Sequence, residues 1–138
     1  MPEVNVLAVL IAAVTTFLLG GFWYSRALFG PAWGRAAGIL QESEVPAKDH
    51  KHRHPAAVFG VSFVFSVIAA YALAVLLGPA PALGRAVATG AACGGAFVAA
   101  SFGINYAFAG RSPVLWLIDG GYHAVQFTLF GLVLGLWH

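Results

Sequence analysis

Three polar side chains stand in a run that is otherwise apolar: Asp119, His123 and Gln126, within Val114 to Trp137. Their spacing of i, i+4 and i+7 puts all three on one face of a helix. A carboxylate and an imidazole are among the few groups that can change charge inside a membrane, so Asp119 and His123 could act as successive stations for a proton or cation. With aromatic walls, the same groups could instead anchor a small amphipathic ligand. A third use is cohesion. Asp119 would then pair with Arg26 or Arg111 near the interface, and His123 and Gln126 would hydrogen-bond neighbouring helices, contacts worth about 1 kcal/mol.

These side chains need elements to hold them, and the composition says which. The chain has 138 residues, 60% hydrophobic and 9% charged, with a mean hydropathy of +0.84, whereas soluble domains carry about 25% charged residues. Four stretches, residues 4–25, 56–77, 86–109 and 114–137, are each long enough to cross a hydrocarbon core as helix, which takes about 20 residues. The expectation is a single all-α domain over residues 1–138, an integral membrane four-helix bundle with a loop at 26–55. The first stretch opens Met-Pro-Glu-Val-Asn with no basic n-region, so it reads as a permanent span rather than a cleaved signal.

Charge sets the orientation. Arg26, Arg35, Lys48, Lys51 and Arg53 precede the second span and Arg111 precedes the fourth, against Arg85 alone on the other side. By the positive-inside rule those two connections are cytoplasmic, and both termini lie outside. In the first connection, Pro31 opens a predicted short interfacial helix carrying Trp33, Ala36, Ala37, Ile39 and Leu40.

The third span is rich in small residues. Ala91, Gly95, Ala99, Gly103 and Ala107 recur every fourth position, beside a second pair, Gly90 and Gly94. Such spacing lets helix backbones approach closely, and it places this span at the centre of the bundle. The second span, apolar on nearly every face, reads as lipid-facing. Gly131 and Gly135 offer a small-residue face for self-association.

The first and third spans both run toward the cytoplasmic side, where the fourth begins. Asp119 lies about 9 Å along the helix from Pro113, and Asn105 falls at a similar depth. Trp23, Tyr24, Tyr106 and Tyr122 belong to the same layer. The construction expected is a polar pocket in the cytoplasmic half, with Asp119 at its floor and His123 nearer the midplane. A constant offset also pairs Tyr24 with Tyr106, Ala27 with Ala109 and Pro31 with Pro113, which suggests two helical hairpins in parallel repeat.

Insertion of this fourth span is affordable. Its twelve Leu, Ile, Val and Phe residues, at about −0.3 to −0.6 kcal/mol each, offset a carboxylate costing about 2.5 to 3.5.

Other chemistry is not supported. No nucleophile sits beside a base in a recognisable motif, and no phosphate loop or HExxH pair is present, so the chain is not expected to be an enzyme. In the loop, His50, His52 and His54 alternate with Lys51 and Arg53, whose charge opposes a divalent cation; the run reads as a basic membrane-proximal segment that fixes topology. The single Cys93 allows no internal disulfide and no cysteine cluster. Haem held by His123 lacks a second histidine at the right depth. No metal, cofactor or nucleic-acid partner is expected. The partner is the lipid bilayer, with a second copy or a larger membrane complex as further candidates.

The run Gly20 to Trp33, the Asn105-Tyr106 pair and the Asp119-Gly120-Gly121-Tyr122 stretch resemble the family of small bacterial membrane proteins described as domain of unknown function 1761, with Arg26 where that family often has proline. The resemblance implies a multi-pass inner-membrane protein and brings no activity with it. Two functions remain: binding or conduction of a small solute or proton through the polar pocket, or an accessory role in a larger complex.

Overall fold

The computed structural model describes residues 3–39 and 54–138. Five helices are present among them: α1 (Val6–Trp23), α2 (Gly30–Ala36), α3 (Pro55–Leu77), α4 (Leu83–Phe108) and α5 (Pro113–Leu136). All but α2 are long and apolar enough to cross a membrane. No strand occurs among the described residues.

The helix starts are written in the local sequence. Asn5 Oδ1 accepts from Ala8 N–H at 3.1 Å, His54 Nδ1 from Ala56 N–H at 3.2 Å, and Ser112 Oγ from Val114 N–H at 3.1 Å. Each cap satisfies a donor that the first turn leaves free. Pro55 and Pro113 follow two of these caps, where a missing N–H costs nothing. His54 is thus a helix cap, while His50, His52 and Leu40 lie outside the described residues. The short helix opened by Pro31 forms, but it ends at Ala36, and Gly38 follows with a positive φ of 74°.

The buried core sits toward the end of the bundle remote from α2. There Val9 and Ala12 of α1, Leu73 and Leu77 of α3, Ala86 of α4 and Phe130 of α5 meet. The buried residues of α3 all belong to its second half, from Ser66 to Leu77. Its first half, with Phe59 and Phe65 largely exposed, meets α1 edge-on through Phe59 and Phe63 against Phe17 but makes little contact with α4. That divergence from α4 leaves a cleft beside α5.

The central helix is α5, not the small-residue span. Of its apolar stretch 39% is buried inside the protein, against 17% for α4. Small residues permit one close pairwise contact; they do not surround a helix with neighbours. Along that contact α4 and α5 lie backbone to backbone: a methyl at Gly90 would collide with the carbonyl of Phe127, and one at Gly131 with that of Ala86. Gly135 is also consumed within the chain, since a methyl there would lie 2.9 Å from Ala86 Cβ.

Neither stripe of small residues serves this contact along its whole length. Gly90 and Gly94 face α5 in the first half of α4, whereas Gly95 is exposed and faces open space. Between Cys93 and Ala99 the helix widens into a π turn. The extra residue advances the register by one, so the contact passes from Gly94 to Ala99 and Gly103. Trp116 of α5 then donates its indole N–H to Ala99 O at 2.8 Å.

Candidate functional site

The short segment after α1 folds back on itself. Phe29 N–H donates to Trp23 O at 3.0 Å and Gly30 N–H to Ser25 O at 2.9 Å, which swings α2 toward α5. The fold holds Trp23 and Tyr24 against the start of α5. Trp23 Nε1–H donates to Ile118 O at 3.0 Å. Tyr24 packs edge-on against Trp33, with ring centroids 5.8 Å apart.

Asp119 is 8% exposed and accepts one phenol on each oxygen. Tyr24 Oη donates to Oδ1 and Tyr106 Oη to Oδ2, both at 2.6 Å. These are short hydrogen bonds in the range of hydroxyl donors to an ionised carboxylate. The expected alternatives Arg26 and Arg111 are exposed, and no ion pair holds Asp119 among the described residues. One carboxylate therefore joins the ends of α1 and α4 to the central helix. The two tyrosines are the pair related by the offset noted in the sequence, and both Pro31 and Pro113 lie in the first turn of a helix.

The glycines after Asp119 make room for this junction. A methyl on Gly120 would sit 3.2 Å from Ala99 Cβ, and one on Gly121 would sit 3.4 Å from the Trp23 ring. A side chain at Gly120 would press on α4, whereas a methyl at Gly121 would just reach the Trp23 ring. Asn105, expected at the same depth, is exposed on the outer face of α4 and makes no side-chain hydrogen bond among the described residues. It sits one residue before Tyr106, and in a helix that places it about 100° around the axis from the tyrosine that faces Asp119.

One turn further along α5, His123 Nδ1 and Gln126 Oε1 are 2.7 Å apart. Phe102 meets the imidazole at a tilt of 31° with ring centroids 4.9 Å apart, and Tyr122 meets it edge-on at 5.0 Å. Tyr122 Oη donates to Thr16 O at 3.2 Å. Thr16 Oγ1 and Ser66 Oγ are 3.2 Å apart, which ties α1 to α3 where α3 begins to diverge. The sequence reading assigned Thr16 and Ser66 no role; a hydroxyl in an apolar span was the signal available.

His123 and Gln126 belong to the floor of the cleft, which has a volume of about 780 Å³. Its walls are Phe17 and Tyr24 of α1, Phe59 and Phe65 of α3, Val98 of the π turn, and Tyr122 and Phe127 of α5. Asp119 is not part of its lining. The expected arrangement, with the carboxylate as the floor, is thus replaced by two polar layers: a carboxylate closed off between phenols, and a histidine–glutamine pair open to the cleft. Trp23, Tyr106 and Asn105 also lie outside the lining, while Tyr24 and Tyr122 belong to it.

A bundle of apolar helices around a partly polar cleft defines a multi-pass membrane protein. The chain belongs to the family described as protein of unknown function (DUF1761), whose model matches residues 7–135. No curated protein and no solved structure gives a significant match.

Proposed function

We propose that this protein is a non-enzymatic binding protein of the bacterial inner membrane, with the α2 end of the bundle cytoplasmic, and that it holds a small amphipathic solute in the cleft between α1, α3 and α5. The observation that carries the reading is the His123–Gln126 pair at the floor of an aromatic-walled cavity of about 780 Å³, a size and lining usual for small-molecule sites. Binding is favoured over conduction because the bundle closes beyond Gln126. Phe130, Val9, Leu73 and Leu77 fill the space between the helices there, and no polar side chain among the core residues continues the path.

In this reading Asp119 supports the site without touching the ligand. Its two phenols fix Tyr24, a wall of the cleft, and seat α4 against α5.

Native mass spectrometry of the purified protein tests the proposal. The wild type is expected to carry a small molecule at about one per chain, lost when Ala69→Trp fills the cleft in a protein that keeps its helical content. Absence of any such adduct, together with stoichiometric co-purification of a second membrane protein, would support the accessory role instead. A proton flux in proteoliposomes that Asp119→Asn abolishes would restore conduction.

A further inference from the structure

We infer that the ligand of this cleft is an uncharged amphiphile whose head is a hydroxyl, and that it enters sideways from the lipid; the inference rests on the binding role proposed above. The charge of the head follows from the lining. No Asp, Glu, Lys or Arg faces the cleft among the described residues. The nearest carboxylate, Asp119, has each oxygen engaged by a phenol. Against this lining a charged head would be desolvated with no counter-charge from the described residues, at a cost of several kcal/mol.

The hydrogen-bonding character of the head follows from the pair. If His123 Nδ1–H donates to Gln126 Oε1, the imidazole Nε2 remains as an acceptor and the carboxamide NH₂ as a donor. With the carboxamide reversed, the imidazole presents Nε2–H and the amide presents its oxygen. Either way the cleft offers one donor and one acceptor, side by side. Among the described residues the buried polar atom left without a partner is Ser25 Oγ, so the groups of His123 and Gln126 that lack a partner are open to the cleft and not sealed in the core. A hydroxyl both gives and accepts and so satisfies both groups in either arrangement. A ketone, which only accepts, or an ammonium, which only donates, leaves one of them unpaired.

The route and the tail follow from the walls. Phe59 is 59% and Phe65 65% exposed at the edge of the cleft, where the first half of α3 stands away from α4. The opening is thus apolar and faces where lipid chains lie, which suits an alkyl or isoprenoid tail.

The test uses two photoreactive probes with the same sixteen-carbon chain and diazirine, one ending in a hydroxyl and one in trimethylammonium, added to the protein in liposomes. The hydroxyl probe is expected to label residues 59–69 and 122–127 saturably, with competition by unlabelled hexadecanol. Gln126→Leu should weaken that labelling about tenfold, the loss of one well-made hydrogen bond. His123→Phe, which keeps the ring against Phe102, provides a second variant should the first fail to fold. Saturable labelling of the cleft by the ammonium probe at equal or higher affinity overturns the hydroxyl assignment and leaves the binding role intact. Labelling by both probes that never saturates and spreads over the outer helix faces overturns both. Saturable hydroxyl labelling that neither variant weakens overturns the role of the pair.

Discussion

Asp119 shows how a costly residue becomes a structural one. Alone in an apolar span it costs about 2.5 to 3.5 kcal/mol, against about 0.6 to 1.7 kcal/mol from each hydrogen bond between membrane helices. Two of them, from Tyr24 and Tyr106, offset a large part of that cost. Tyr24→Phe and Tyr106→Phe are each expected to lower stability by about 0.6 to 1.7 kcal/mol, read as unfolding free energy in a membrane mimetic. Combined with Asp119→Leu, neither should add its full cost, because the acceptor is already gone. Full additivity would mean that the phenols stabilise the bundle by packing and not through the carboxylate. At this scale the sequence was informative about type and spacing: Asp119, His123 and Gln126 do share the inward face of α5. It did not reveal that they serve separate layers, since that depends on Tyr24 and Tyr106 arriving from two other helices.

At the level of elements, the π turn in α4 explains why two stripes of small residues coexist in one helix. Each serves half of its contact with α5. Gly90 and Gly94 face α5 before the turn, Ala99 and Gly103 after it. Two glycines of α4 five residues apart should therefore respond differently to a methyl group. Gly90→Ala drives a methyl into the Phe127 carbonyl and should cost about 1 to 3 kcal/mol. Gly95→Ala meets open space and should be neutral or stabilising by up to about 1 kcal/mol. Thermal unfolding of the two variants checks the pair. Equal effects would place both stripes on the same face and remove the shift in register. Four-residue spacing alone makes the stripes equivalent, because it carries no sign of the widening at Cys93–Ala99.

For the molecule as a whole, the divergence of α3 is what creates a site. Its second half is locked into the core by Leu73 and Leu77, while its first half stays exposed on most faces. Orientation is carried by charge, and the proposed topology places positions 43 and 82 on opposite sides of the membrane. In a Cys93→Ala background, Ala82→Cys should react with an impermeant maleimide added outside whole cells, and Ser43→Cys should react only after the membrane is opened. Labelling of Ser43→Cys from outside would reverse the orientation.

The sequence by itself determined the class of the molecule: 60% hydrophobic residues in spans of membrane length leave no soluble alternative, since burial of that much apolar surface needs lipid. It also determined where α1, α3 and α5 begin, because Asn5, Ser112, Pro55 and Pro113 act on their own first turns, whereas α4 starts without a side-chain cap at Leu83, ahead of the expected 86. Only the tertiary structure decided that α5 is central, that Asp119 lies closed between two phenols, and that Asn105 points outward. Those outcomes depend on the rotation of each helix about its axis, and in a chain that is apolar on nearly all sides no local pattern sets that rotation. Contacts between distant residues do, foremost the bonds from Tyr24 and Tyr106 to Asp119.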